Sequence, residues 1–273
     1  MLPPCGGAPR SGEGGLSTSP YFIVTSILIT GAAKRIGRQM ALDFADVGWD
    51  VAVHCNHSTQ EGEDVAALIR AKGRKACVVQ GDLADADIAT RLIAQSVAGV
   101  GPLTALINNA SIFEMDGVGD ITFNSWERHQ NINLRAPIML AQEFAKQLPH
   151  GAKGSIINII DQRVWKLNPR FFSYTMSKSG LWTATRTLAQ ALAPNIRVNA
   201  IGPGPALPSA RMDAAEFAKQ ESLTLLGIGT SPTEISQAAK FIMSQPALTG
   251  QMIALDGGQH LVWQTADVIE VNE

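Results

Sequence analysis

Three residues in the second half of the chain have the types and spacing of an acid–base site: Asp161, Tyr174 and Lys178. A tyrosine and a lysine at i and i+4 share one helix face. An ammonium beside a phenol favours the phenolate, so the pair predicts a tyrosine that ionises below its usual value of about 10 and exchanges protons near neutral pH. Asp161 closes the apolar run Ile156, Ile157, Ile159 and Ile160 and stands thirteen residues before the tyrosine. The YxxxK spacing alone arises often by chance, so its meaning depends on the elements around it.

Those elements form a regular alternation. Strands are expected at Ser26–Thr30, Val51–His54, Ala76–Gln80, Ala105–Asn108, Ser155–Ile160, Arg197–Ile201 and Met252–Leu255. Helices are expected near Ile36–Val47, Gln60–Lys72, Asp85–Ala98, Leu134–Leu148, Tyr174–Ala193 and Pro232–Met243. Strands separated by amphipathic helices imply right-handed crossovers, hence an α/β fold with a doubly wound parallel sheet of Rossmann type. No linker interrupts residues 21–273, which read as a single domain. Residues 1–20 are mostly Gly, Pro and Ser and read as a disordered tail. The segment from Tyr21 to Ile29 has the look of a signal-peptide core, but it is needed as the first strand.

In such a sheet ligands sit beyond the carboxyl ends of the strands. The first strand runs into Thr30-Gly31-Ala32-Ala33-Lys34-Arg35-Ile36-Gly37 and then a helix. Gly31 permits a tight turn, Gly37 permits close helix packing, and the helix N-terminus offers amides to a pyrophosphate. An NAD-preferring site would carry a carboxylate after the second strand. This chain has His54-Cys55-Asn56-His57-Ser58 there, and Lys34, Arg35, His57 and Ser58 can all donate to a phosphate. NADPH is therefore the expected cofactor. Asp82 and Leu83 follow the third strand at the height of an adenine, although Asp82 reads equally well as a helix N-cap. Asn109, Ala110 and Ser111 follow the fourth and admit a ribose. Pro203 and Gly204, in a Gly-Pro-Gly-Pro run, offer a wall for a flat ring.

Bulk properties narrow the class. The chain has 273 residues, 45% hydrophobic and 17% charged, with a formal net charge of -2. That balance gives no sign of a nucleic-acid partner. No stretch approaches the roughly 18 apolar residues of a membrane helix. Cys5, Cys55 and Cys77 have neither metal-ligand nor CxxC spacing, so no metal is expected, and a reduced cytoplasmic protein is the simplest account.

From Ser26 to about Gly258 the chain resembles the short-chain dehydrogenase/reductase family, through TGAAKRIG, GDL, NNAS, NINL, YTMSK, VNAIGPG and GQMIALDGG. The resemblance implies a homotetramer with Tyr174 as general acid and Lys178 on the nicotinamide ribose, lowering the tyrosine pKa. It implies Asn133 as a fourth catalytic residue on a proton path. Two departures are informative. Arg35 replaces the middle glycine, and Asp161 replaces a serine. An ionised carboxylate can only accept hydrogen bonds, which suits a substrate presenting N–H groups better than a ketone oxygen.

Both departures occur in the pteridine reductase branch, which the chain also resembles through NNASxF and the His54 to Ser58 segment. That branch implies reduction of a dihydrobiopterin, dihydromonapterin or dihydrofolate type of pterin. By position, Arg35 and Ser111 would contact cofactor phosphate and pterin, Phe113 would stack on the ring, and Asp161 and Tyr174 would deliver the proton. His57 and Ser58 would hold the 2′-phosphate. Pro205-Ala206 stands where the branch often has a serine contact. The alternatives are a carbonyl reductase acting on a ketone or 3-oxoacyl substrate and a catalytically silent cofactor-binding scaffold.

Overall fold

The computed structural model describes residues 25–209, 211–265 and 268. The tail expected at residues 1–20 lies outside the described residues. Among the described residues, seven strands and eight α-helices follow one another: β1 Ser26–Ile29, α1 Arg35–Asp46, β2 Asp50–Cys55, α2 Thr59–Ala71, β3 Ala76–Gln80, α3 Ile88–Val100, β4 Ala105–Asn108, α4 Phe123–Gln130, α5 Ala136–Gln147, β5 Gly154–Ile159, α6 Phe172–Leu192, β6 Ile196–Pro203, α7 Ala214–Ser222, α8 Pro232–Ser244 and β7 Met252–Leu255. The sheet order is β3-β2-β1-β4-β5-β6-β7 and every pairing is parallel.

The alternation of the strand residues divides the core. Ile27, Ile29, Val51 and Val53 face Met40 and Phe44 of α1 and Ile235 and Ile242 of α8. Leu28, Leu106, Ile156 and Val198 face Leu92 of α3 and Leu140 and Phe144 of α5 on the other side. Full burial of each such side chain contributes about 1.5–3 kcal/mol. Strands buried on both faces explain why the sequence shows short continuous apolar runs.

Strand order reverses between β1 and β4, the switch point at which a doubly wound sheet opens a crevice. The register aligns Ile29 with both Val53 and Ile107. The loops after β1, β2 and β4 therefore leave the sheet at one height.

Expected strands agree with observed ones to within about two residues at either end. Three differences in the helices have physical causes. The third helix starts at Ile88, because the Asp82 carboxylate accepts from Ala84 N (2.9 Å) in a local turn and does not cap it. The N-cap expectation for Asp82 is thereby corrected. Phe123–Gln130 is helical, capped by Thr122 Oγ1 accepting from Ser125 N, yet it buries only His129. It continues through a π-helical turn, Asn131–Arg135, into α5. Helix α7 buries no residue and is held by an Asp213–Glu216 capping box. Polar helices of this kind carry little apolar periodicity to read.

Candidate active site

A cavity of about 350 Å3 runs along the switch point, and its lining includes Gly31, Lys34, Arg35, Ile36, Asp82, Leu83, Asn109, Ala110 and Ser111. All nine were expected around a cofactor. The turn that opens it is locally determined. Gly31 adopts φ +63°, and a Cβ on Gly37 would lie 2.2 Å from Gly31 O, so α1 can approach only without a side chain there. Arg35 begins α1 at φ +53°, a left-handed conformation costly for a side-chain-bearing residue. Its guanidinium donates to Pro208 O (3.0 Å) and Leu207 O (3.3 Å), in the segment that follows β6.

The loops are cross-tied. Thr30 Oγ1 accepts from Asn109 N and Ala110 N (2.9 and 3.0 Å), and Asn109 Nδ2 returns a bond to Thr30 O (2.8 Å). His54 ties the other side. Gly31 N donates to its Nδ1 (3.1 Å), which requires the proton on Nε2, and Nε2–H donates to Gly81 O (3.0 Å). Burial lowers the His54 pKa to about 4, against the opposing effects of Gly81 O and Asp82. The imidazole is therefore neutral and joins the β1, β2 and β3 loops. His54 stands at a strand end in the sequence, with nothing in its spacing to signal this role. Asn56, Arg128 and Ile132 also line the cleft and were not expected there.

The phosphate donors divide. Lys34 lines the cleft but pairs with Glu61 (2.6 Å) across half-exposed surface. His57 is exposed and does not line it, whereas Ser58 is the N-cap residue of α2 with no capping hydrogen bond from its side chain. Pro203 ends β6 beside Leu255, and Gly204 packs so closely that a Cβ would lie 2.7 Å from Asp256 Cα. Neither Pro203 nor Gly204 lines the main cleft.

At the end of β5 the acid–base residues converge. Asp161 has an extended backbone, caps a 3-10 turn at Gln162–Val164, and accepts from Arg163 N through Oδ1 (2.8 Å). Its Oδ2 accepts from the Tyr174 hydroxyl (2.9 Å). Lys178, one turn further along α6, is buried and donates to Ile159 O (2.9 Å). Burial lowers its pKa to about 8, with Asp161 opposing.

The tyrosine reverses an expectation. Burial first, then the charge and hydrogen bond of Asp161, raise its pKa well above the usual tyrosine value, while Arg163 opposes. The predicted lowering by Lys178 is absent because that ammonium is directed at Ile159 O, whereas the carboxylate touches the phenol itself. The hydroxyl is thus a held proton and the pair a carboxylate with one transferable proton beside it.

Asn133 sits in the π-helical turn. Its Oδ1 accepts from Ile112 N (3.0 Å) and Ser111 Oγ (3.2 Å), and its Nδ2 donates to Ile112 O (3.0 Å) and Ser177 Oγ (3.1 Å). With its side chain saturated, Asn133 fastens the β4 loop to α6. Asp116 does similar work for the next stretch, accepting from Ser173 N and Ser125 Oγ (both 2.9 Å).

Phe113 lies edge-on to Tyr174 with ring centroids 4.7 Å apart. One of its faces stacks on Phe171 at 4.1 Å and 13°. The guanidinium groups of Arg163 and Arg211 lie 5.7 and 5.9 Å from the Phe113 centroid. Among the described residues no group of three or more His, Cys, Asp or Glu side chains is placed to hold a metal ion, and no helix is long and apolar enough to cross a membrane.

The cleft suits a dinucleotide: small residues at the turn, a helix N-terminus behind it, and about 350 Å3 of open volume that reaches the β4 loop. Comparison with known proteins agrees. The chain is 47% identical to a FolM alternative dihydrofolate reductase 1 from Brucella canis solved with NADP, with a TM-score of 0.86 over 90% of this chain and 99% of that one. It is 49% identical to the Brucella suis counterpart, also with NADP, with a TM-score of 0.87 over 89% and 98%. It is 31% identical to a 3-oxoacyl-[acyl-carrier-protein] reductase FabG from Staphylococcus aureus, over 86% of this chain and 98% of the relative. With the short chain dehydrogenase family profile matching residues 25–220, the chain belongs to that family.

Proposed function

We propose that the protein is an NADPH-dependent pterin reductase. The observation that carries this reading is the Asp161 carboxylate in direct contact with the Tyr174 hydroxyl, where a ketone reductase would need a neutral donor. The NADP-bound FolM relatives support it.

The cofactor the cleft fits, a reduced nicotinamide dinucleotide, would supply the hydride. Gly31, Arg35 and Ile36 would hold its pyrophosphate at the α1 N-terminus, Asp82 and Leu83 its adenine, and Asn109 and Ala110 a ribose. Lys34, with His57 and Ser58, would hold the 2′-phosphate, and Lys178 the nicotinamide ribose. Pro203 and Gly204 close the far side. Phe113 stacks on the pterin, while Arg35 and Ser111 fix its edge.

Asp161 accepts hydrogen bonds from the N–H groups of the pterin ring. The Asp161–Tyr174 pair delivers its one proton to the ring nitrogen next to the carbon that receives the hydride, and solvent replaces it. Asn133 acts through Ser111 as a positioning residue. The intact, buried Tyr174 and Lys178 argue against a silent scaffold.

A second reading, reduction of a ketone or 3-oxoacyl substrate, is favoured by the FabG relatives. NADPH oxidation with dihydrobiopterin, dihydromonapterin and dihydrofolate against a panel of ketones separates the two. Turnover confined to ketones would refute the pterin reading. We read the enzyme further as a cytoplasmic homotetramer, supported by the family resemblance and the free thiols of Cys55 and Cys77. Light scattering on the purified protein tests the assembly.

A further inference from the structure

A second cavity, of about 400 Å3, is lined by Arg163, Asn168, Arg170, Phe171, Gln220 and Gln259 among others. Its lining carries two guanidinium groups and no carboxylate. Among the described residues neither arginine forms an ion pair, and Arg163 Nε is buried without a hydrogen-bond partner. Buried donors are ordinarily satisfied, so an unpaired one in a cation-lined cavity needs an explanation.

The cavity adjoins the aromatic and acid–base residues already described. Phe171, on its wall, stacks against Phe113 at 4.1 Å. The Arg163 guanidinium lies over both rings, 5.2 Å from the Phe171 centroid and 5.7 Å from that of Phe113. Its main-chain N–H is bonded to Asp161. One residue thus touches the acid–base pair, the aromatic stack and the cavity.

We propose that this cavity is a subsite for the carboxylate-bearing tail of the substrate. This rests on the pterin reading and narrows it to pterins with an acidic side chain. Arg163 and Arg170 hold the carboxylates, for which the planar guanidinium fork is suited. Asn168, Gln220 and Gln259 supply neutral hydrogen bonds. Arg163, packed against the aromatic stack, is less hydrated than a free surface arginine and loses less on pairing.

The test compares dihydrofolate, which has a dicarboxylate tail, with dihydrobiopterin, whose tail is uncharged. For Arg170→Gln, the ratio of kcat/KM for dihydrofolate to that for dihydrobiopterin is expected to fall about five- to tenfold, through the KM of dihydrofolate. Gln220→Glu, which adds a like charge to the incoming tail, is expected to move the ratio the same way. Added salt should raise the KM of dihydrofolate more than that of dihydrobiopterin. An unchanged ratio in both variants, with both pterins still reduced, would overturn the subsite alone. Failure of the wild-type enzyme to reduce either pterin would overturn the pterin reading beneath it.

Discussion

The Tyr174 hydroxyl donates to Asp161 Oδ2 at 2.9 Å, while the other carboxylate oxygen accepts from Arg163 N at 2.8 Å. The carboxylate is thereby fixed in orientation, and the phenol keeps its proton against a neighbouring anion. Tyr174→Phe removes the proton but leaves the ring against Phe113. We expect kcat for a dihydropterin to fall by about 10²–10⁴, with a much smaller change in the NADPH Kd. Steady-state rates and fluorescence titration measure the two effects.

Lys178 gives a pH signature. Its pKa is lowered to about 8 by burial, so the free enzyme loses this cation as pH rises through that value. If the charged ammonium holds the nicotinamide ribose, the NADPH Kd should rise above about pH 8, approaching tenfold per pH unit. Lys178→Met should bind weakly with no such limb. Fluorescence titration from neutral to alkaline pH reads both proteins.

His54 predicts acid sensitivity of the fold. Its pKa is lowered from 6.5 to about 4. Between these values the unfolded chain binds a proton that the native state rejects, so stability is complete above 6.5 and declines as pH falls towards 4. The contribution of this one group is up to about 3 kcal/mol. His54→Asn, which can still accept from Gly31 N–H, should show a shallower loss across the same window in urea unfolding.

Arg35 trades strain for contact. Its left-handed backbone is natural for glycine, so Arg35→Gly should leave the stability unchanged or raise it by up to about 1 kcal/mol. The KM for pterin should rise about fivefold or more with loss of the guanidinium. Thermal unfolding and steady-state kinetics on one preparation check both halves.

Much of this was legible because it is local. Period and length gave all seven strands, and Gly31, Gly37 and the Asn109-Ala110 pair gave the cleft. Other features were set by approach between distant segments. Tyr174 and Lys178 share a helix face, but Asp161 arrives from β5 and decides the proton affinity of the phenol. Nothing in the loop around Asp116 signals that it caps the N-terminus of α6. The second cavity joins Arg163 and Phe171 to Gln220 and Gln259, a juxtaposition that no spacing along the chain encodes. His57 has donor chemistry but stays exposed at the rim, while its neighbour Asn56 lines the cleft, an exchange that residue type alone does not reveal.

If Asp161 makes this fold a pterin reductase, substitution at that position removes the activity and leaves the cofactor bound. The measurement is the NADPH oxidation rate with a dihydropterin for Asp161→Ser, paired with the NADPH Kd. Asp161→Ser is expected to lose pterin turnover by about 10²-fold or more while the Kd stays nearly constant. Pterin turnover preserved in Asp161→Ser, or a loss explained by weakened NADPH binding, would contradict it.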